Sequence, residues 1–248
     1  MRLFLAALAA AAVLWPAVSL SQATAPVTAY NSRLNSFGVF TAYSNDSSHI
    51  LLGVAEDRKL LSFGASYSRR LWQGKVVNWQ YDGEILPVAL ESDPVLQETT
   101  TYTSPIQGTL TATGEPINAC RAASGTFSYT EGGTIFAGTY KDTCSRRWTI
   151  GEGMSPVGLQ WNFMPKRRIQ PIVMGHGGYM YSTRAIPADG AGAFNFTFDL
   201  GMGVEWFRSQ NHSWRAEYRY HHISNHETAN LNPGIDNGVF QLSYVFGR

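Results

Sequence analysis

The sequence predicts an all-β protein: an eight-stranded antiparallel transmembrane β-barrel with one long, disulfide-stapled extracellular loop. Three observations support this. Apolar and polar residues alternate along eight segments, which is the period-two pattern of strands with one apolar face. Several segments exceed the usual ~5–6 residues of a strand and match the roughly 9–11 that cross a bilayer at a tilt. Short and long connections between the segments alternate along the chain.

The composition agrees with a lipid-facing surface and argues against a nucleic-acid partner. Charged residues make up 15% of the chain, against a usual ~25%, while aromatic residues make up 13%. The formal net charge is +1 and no basic stripe is present, so we expect no nucleic-acid partner. Beyond the N-terminal segment, no stretch approaches the roughly 18 uninterrupted apolar residues of a membrane-spanning helix.

The first 23 residues have the composition of a secretory signal peptide. A basic start and an alanine-rich apolar run are followed by a small-x-small exit, SQA, at residues 21–23. A membrane anchor is the alternative, but Pro16 and this exit favour cleavage. We therefore expect a signal peptide over residues 1–23 and one barrel domain over residues 24–248.

The eight strands are taken from the alternation in chain order. They are predicted at residues 37–44, 59–72, 75–91, 156–164, 168–183, 193–207, 212–222 and 238–247. The sixth is the clearest, because its phenylalanines share one parity with other large apolar residues while glycines and acids share the other. Aromatic residues near the ends of the apolar faces match interfacial girdles, and the polar parity suits the interior of a small barrel.

The connections are sorted by length. Tight turns join the second strand to the third, the fourth to the fifth and the sixth to the seventh, whereas the other links are long. Bacterial outer-membrane barrels have short periplasmic turns and long outward loops, and a secreted β-sandwich, the alternative fold, would not sort its loops in this way. We therefore expect both termini on the periplasmic side, with residues 45–58, 92–155, 184–192 and 223–237 as outward loops.

The largest of these loops, residues 92–155, contains both cysteines, Cys120 and Cys144. In an exported chain an even cysteine count favours a disulfide, and two cysteines allow a single intramolecular pairing. In the chain-entropy model, closing a loop of this length stabilises the fold by roughly 3–4 kcal/mol. The sequence therefore predicts that a disulfide staples the loop.

The outer end of the seventh predicted strand carries the candidate chemistry. Trp214, Ala216, Tyr218 and Tyr220 share the lipid-facing parity, which continues to His222 and then to Ser224. Residues two apart on one strand face lie roughly 6–7 Å apart at Cα, so suitable rotamers can bring an imidazole and a hydroxyl together. A serine becomes a nucleophile when a neighbouring base removes its proton.

A histidine base needs a third group that orients its ring and sets its tautomer. Asp236 lies at the start of the eighth strand, which must pair with the seventh, so we expect its carboxylate near His222; Glu227 is the rival acid. Asn225 and Asn232 supply amide donors that could stabilise an oxyanion. The alternative is that the histidine is a solvated interfacial residue and that the serine is an ordinary loop residue.

The remaining titratable residues are expected inside the barrel. His221 has inward parity, and His176 shares it with Arg215, Glu217 and Arg219. These side chains are expected to form an interior charge network rather than a catalytic site. No metal site and no cofactor are predicted. The sequence lacks a CxxC motif, and hydrolysis by a serine nucleophile requires neither a metal nor a cofactor.

The motif HISN at residues 222–225, followed six residues later by NPGID, resembles the signature of the lipid A 3-O-deacylases of the PagL type, which are small outer-membrane barrels. The resemblance implies that His222 is the general base and Ser224 the nucleophile. It places Asp236 on the orienting acid, where the best-known members have glutamate, and Asn232 on a position linked to the oxyanion site. Asn225 matches the asparagine that follows the serine.

The resemblance implies a serine esterase of the cell outer membrane that removes an ester-linked 3-hydroxyacyl chain from lipid A of lipopolysaccharide in the outer leaflet. Two other functions stay open. One is a non-enzymatic surface barrel in which residues 92–155 serve adhesion or protection, and the other is an outer-membrane phospholipase that uses the same three residues. The oligomeric state is also left open, with a homodimer as one option.

Overall fold

The computed structural model describes residue 30 and residues 33–248, so the signal peptide predicted at residues 1–23 lies outside the described residues. The described residues form ten strands: β1 (Asn35–Ser44), β2 (Lys59–Gln73), β3 (Val77–Ser104), β4 (Gly108–Gly114), β5 (Ala123–Glu131), β6 (Thr134–Phe163), β7 (Ile169–Ser182), β8 (Phe194–Phe207), β9 (His212–Ser224) and β10 (Ile235–Gly247). No helix in this part of the chain is long and apolar enough to cross a membrane.

Eight of these strands close into a barrel. The order β1-β2-β3-β6-β7-β8-β9-β10 returns to its start because β10 pairs with β1, and β3 pairs with β6. All neighbours are antiparallel. The predicted all-β barrel is therefore confirmed, and its eight strands are those that the alternation marks. We call the end of the barrel away from the described chain ends the outer end.

The segment 92–155, predicted as a loop, is instead largely strand. β3 and β6 continue past the outer end of the barrel and pair with each other as far as Ser104 opposite Ala137. β4 and β5 add to their free edges, so β4-β3-β6-β5 form a four-stranded outer sheet. Here the sequence is rich in threonine, which favours strands, but polar residues occupy both faces and leave no alternation to detect.

The predicted disulfide is present. Cys120, in the connection between β4 and β5, is bonded to Cys144 on β6, 24 residues later. The bond therefore fastens this connection to the outer sheet. It lies next to β3 and β6, whereas β9 and β10 belong to the opposite part of the barrel wall.

Removing the disulfide is expected to loosen the outer sheet while the barrel stays folded. Replacing both cysteines by serine opens the loop that the disulfide closes, whose ends are 24 residues apart in sequence. In the chain-entropy model this loss lowers the free energy of unfolding by about 3–4 kcal/mol. Limited proteolysis should then cut between β4 and β6 faster than in the parent protein. The unheated barrel should keep its compact migration in SDS gels, and loss of that migration would contradict the expectation.

The two faces of the barrel wall differ in chemistry. On β8 every second residue from Phe194 to Trp206 is a large apolar side chain, and each is 40–68% exposed. The inward face instead carries buried ion pairs: Arg219 contacts Glu84 and Glu217, while Arg215 contacts Asp82. The exposed apolar band matches a lipid-facing surface, and the paired charges occupy the interior.

The outer end of the barrel is closed from within. Six buried apolar side chains pack there: Ala55, Ala89, Met180, Ile186, Ile223 and Ile235. Beside them, the fully buried Arg58 forms an ion pair with Asp93 at 3.2 Å. Its guanidinium also donates hydrogen bonds to backbone carbonyls of four residues: Glu56, Pro116, Ile117 and Pro187.

Through these contacts Arg58 joins β3 to three connections at the outer end: β1–β2, β4–β5 and β7–β8. Burial lowers the pKa of Arg58, while the Asp93 carboxylate acts in the opposite direction and favours the charged form. A cation held in this way fixes the loop 45–58 relative to the barrel, and that loop bears directly on the candidate site.

Candidate active site

The register of the last two strands brings His222 and Asp236 together. β9 and β10 pair antiparallel with Asp236 directly opposite His222, and His222 Nδ1 lies 2.6 Å from Asp236 Oδ1. An ionised carboxylate can only accept a hydrogen bond, so Nδ1 carries the proton and donates it. His222 Nε2 is then left with the free lone pair, which is the tautomer that a general base needs.

Asp236 is surrounded by donors. Its Oδ1 also accepts a hydrogen bond from the Tyr220 hydroxyl at 2.8 Å. Its Oδ2 accepts from the backbone N–H groups of Leu51 and Leu52, at 2.7 and 2.8 Å. Four hydrogen bonds to one carboxylate favour its ionised form and fix its position against the imidazole.

The imidazole of His222 is held from two further directions. Its ring lies parallel to that of Tyr220, with centroids 6.5 Å apart and an interplanar angle of 11°. Gly234, at φ 62°, lies so close to the imidazole that a Cβ there would be 3.1 Å from His222 Cε1. The ring is therefore restrained by packing as well as by its carboxylate partner.

Ser224 is the last residue of β9 and lies two residues beyond His222, so its side chain shares the outward face. Its partners across the sheet belong to the apolar band of β8: Ser224 pairs with Phe196, and His222 pairs with Phe198. After Ser224 the chain turns sharply, because His226 and Glu227 both adopt positive φ, 51° and 60°. The candidate nucleophile thus lies at the strand end, between apolar side chains and the turn.

The two asparagines have different positions. The Asn225 side chain is buried and donates from Nδ2 to the carbonyl of Leu231 at 2.6 Å, so it braces the loop. Its backbone N–H donates to Asn232 Oδ1 at 3.1 Å. Since Oδ1 of Asn232 accepts this bond, its Nδ2 is the end that can donate elsewhere. Of the two, Asn232 has the side-chain donor suited to an oxyanion.

The remaining predicted groups are separate from this site. The rival acid Glu227 is exposed, and it is Asp236 that contacts the imidazole. The inward-facing His221 contacts the Asp199 carboxylate through Nδ1. His221 therefore belongs to the interior charge network, unlike the adjacent His222.

One interior cluster has the residue types of a cation site. Ligand atoms of Asp82, Glu84 and His176 lie within 4.8 Å of one another. Both carboxylates are already paired with arginines, Asp82 with Arg215 and Glu84 with Arg219. The positive charge of these arginines opposes a bound cation, so the cluster is consistent with the predicted interior charge network.

Two elements of the site were missed by sequence reasoning. The Tyr220 hydroxyl could have been found, since it shares the parity of His222 two residues earlier on the strand. The backbone donors of Leu51 and Leu52 could not, because every residue except proline has an N–H and the sequence does not mark which ones meet a carboxylate. The only signal was the apolar run ILL within an otherwise polar loop.

The chain matches a protein-family model and resembles several solved structures. A family model described as lipid A 3-O-deacylase (PagL) matches residues 118–245, a range that includes all of β9, most of β10 and the candidate residues from Tyr220 to Asp236. No curated protein matches the chain.

Three solved structures are similar. The crystal structure of the outer membrane enzyme PagL shows 12% identity over 85% of this chain and 99% of that chain, with a TM-score of 0.44. Neisserial surface protein A (NspA) shows 10% identity over 86% and 97%, with a TM-score of 0.39. OprG from Pseudomonas aeruginosa shows 11% identity over 89% and 100%, with a TM-score of 0.36. Because the family model matches more than half of its residues, this chain belongs to the lipid A 3-O-deacylase (PagL) family.

Proposed function

We propose that this protein is a serine esterase of the outer membrane that removes an ester-linked 3-hydroxyacyl chain from lipid A. The observation that carries the proposal is the His222–Asp236 hydrogen bond on the outward face of the wall, with Ser224 two residues further along that face. Membership of the lipid A 3-O-deacylase family supports the same substrate.

The reaction follows from the arrangement of these side chains. His222 Nε2 removes the proton of the Ser224 hydroxyl as Oγ attacks the ester carbonyl, and Asp236 stabilises the imidazolium that forms. Asn232 Nδ2 donates to the developing oxyanion. His222 returns the proton to the sugar oxygen, which leaves as a hydroxyl, and the acyl chain stays on Ser224. Water, deprotonated by His222, then releases the 3-hydroxy fatty acid and restores the serine.

The outward position of the site is explained by this substrate. The partners of Ser224 and His222 across the sheet, Phe196 and Phe198, are 46% and 41% exposed on the apolar band. An acyl chain of a lipid in the same leaflet can lie along these rings without leaving the bilayer. A water-soluble substrate would instead suit a site that opens into the interior, where the side chains are charged and tightly paired.

Replacing Ser224 by alanine is expected to lower lipid A deacylation by at least about 10³-fold, because alanine has no hydroxyl on which the acyl-enzyme can form. Cells that express the parent protein should contain lipid A that is lighter by one 3-hydroxyacyl chain in mass spectra. Cells that express the Ser224→Ala variant should contain intact lipid A. Ser209→Ala, in the turn at the opposite end of the barrel, is the matched control and should act as the parent does.

Purified protein in mixed vesicles provides the complementary measurement. Release of 3-hydroxy fatty acid from lipid A, without release of fatty acid from phospholipid, is the expected result. Hydrolysis of phospholipid alone would contradict the substrate assignment and favour a phospholipase. Intact lipid A in the presence of folded parent protein would contradict the proposal as a whole.

A further inference from the structure

Asp236 has an environment that the strand pattern does not predict. By parity it belongs to the outward, lipid-facing side of β10, together with Phe240, Leu242 and Phe246, which are all exposed. Asp236 itself is fully buried. It is covered by the loop 45–58, whose residues Ile50–Gly53 we call the apolar segment.

The apolar segment is fastened over the start of β10 by backbone hydrogen bonds. The N–H of Val54 donates to the carbonyl of Pro233 at 2.8 Å, and that of Ala55 donates to Gly234 at 3.1 Å. On the other side, the N–H of Ser48 donates to the carbonyl of Asp236 itself at 3.2 Å. The segment between these anchors is short, so the N–H groups of Leu51 and Leu52 are held towards the Asp236 carboxylate.

Gly53 allows the loop to come this close. A Cβ on this residue would lie 2.6 Å from the backbone nitrogen of Asp236 and 2.9 Å from its Oδ1. Contacts below 3.0 Å require a shift, and the nearest atom is backbone, which cannot move aside as a flexible side chain would. Any larger residue at position 53 must therefore lift the loop away from the carboxylate.

The side chains of the same segment point away from the protein. Leu51 is 73% exposed and Leu52 is 65% exposed, and Ile50 beside them is also exposed. Three consecutive exposed apolar residues at the rim of a lipid-facing wall are costly in water, at roughly 25 cal/mol per Å² of apolar surface. The matching partner at this position is the hydrocarbon chain of a lipid in the adjoining leaflet.

We infer that the apolar segment Ile50–Gly53 positions the catalytic acid and at the same time contacts the acyl chains of the lipid substrate. The inference rests on the proposed function. Leu51 and Leu52 each supply both contacts, an N–H to Asp236 and an exposed side chain for the lipid. Acyl-chain contact therefore favours the loop conformation that holds the carboxylate against His222, since a ligand stabilises the state to which it binds better. Leu51 and Leu52 are positioning residues: their backbone N–H groups hold Asp236, and their side chains contact the acyl chain of the substrate.

The positioning part is tested by Gly53→Ala, with Gly108→Ala as the control, because a Cβ at Gly108 meets no atom within 4 Å. In detergent micelles, proton NMR of the parent protein should show a strongly downfield His222 Nδ1–H resonance from the hydrogen bond to Asp236. Gly53→Ala should weaken or remove this resonance and lower kcat for lipid A at least about tenfold. Gly108→Ala should change neither, and an unchanged resonance and kcat in Gly53→Ala would overturn this part.

The acyl-contact part is tested by Leu51→Ser and Leu52→Ser, which keep the backbone N–H groups. We expect KM for lipid A in mixed micelles to rise about tenfold in the double variant. The Nδ1–H resonance should stay as in the parent protein, because both substitutions keep the backbone N–H groups that donate to Asp236. Leu110→Ser, in the outer sheet and 61% exposed, is the matched control. An unchanged KM in the double variant would overturn the acyl contact.

The two proposals fail in different ways. If the parent protein hydrolyses lipid A and these variants behave as it does, the inference is wrong while the proposed function stands. If the parent protein leaves lipid A intact, the proposed function fails and the acyl contact fails with it. The Nδ1–H resonance of Gly53→Ala still decides the positioning part, since that measurement needs no substrate.

Discussion

Replacing Asp236 by asparagine is expected to lower kcat for lipid A hydrolysis by about 10⁴-fold while the barrel stays folded. The Leu51 and Leu52 N–H groups both donate to Oδ2, so the amide oxygen of asparagine should take that place. The amide NH₂ then occupies the place of Oδ1 and faces His222 Nδ1. The imidazole must accept at Nδ1 and carry its proton on Nε2, where it can no longer take a proton from Ser224.

Single-turnover measurements on lipid A in mixed micelles would separate this chemical step from substrate binding. Asp189→Asn is the matched control, because the Asp189 side chain is 84% exposed and its charged neighbour is Arg147 rather than His222. It should retain parental kcat and KM. A kcat within tenfold of the parent value for Asp236→Asn would mean that the acid does not set the tautomer of His222, and the proposed mechanism would need another orienting group.

Replacing Arg58 by methionine is expected to destabilise the protein by about 3–5 kcal/mol, the usual effect of removing one partner of a buried ion pair. Methionine fills much of the volume but supplies no donor. The Asp93 carboxylate would lose its cation, and the carbonyls of Pro116, Ile117 and Pro187 would lose the guanidinium. The loss should be concentrated at the outer end, where these connections meet.

Urea unfolding of the protein in detergent, followed by tryptophan fluorescence, would measure the change. Arg121→Met, at an exposed position, should alter the free energy of unfolding by no more than about 0.5 kcal/mol. Adding Asp93→Asn to Arg58→Met should recover part of the loss, because the unpaired charge is then removed. Equal stability of the Arg58→Met variant and the parent protein would contradict the role of Arg58 as a junction.

The barrel itself was within reach of sequence reasoning because a lipid-facing wall imposes a strict rule. Each strand must present apolar residues to the bilayer at every second position. The alternation along the sequence therefore indicates both where a strand lies and which of its residues face lipid. That pattern placed His222 and Ser224 on one outward face. Pairing of consecutive strands also brought Asp236 near His222, since only one loop separates them.

The outer sheet obeyed no such rule. Its strands stand beyond the wall and carry polar residues on both faces, so the strand conformation leaves no alternation for sequence reasoning to detect. The sequence pattern therefore predicts a 64-residue loop at residues 92–155, whereas the structure has four paired strands there. The threonine-rich composition was a hint of strand propensity, but propensity without a buried face does not specify pairing.

The sequence alone determined which residues face the bilayer and that His222 and Ser224 lie together at the outer end of β9, because both depend on neighbours one or two residues away. Only the tertiary structure decided how the acid is held. The N–H groups of Leu51 and Leu52 reach Asp236 across a separation of 185 and 184 residues, and the Arg58 guanidinium reaches Pro187 across 129. Backbone donors and acceptors are alike at nearly every residue, so contacts between them become specific only when the closed barrel brings distant loops together.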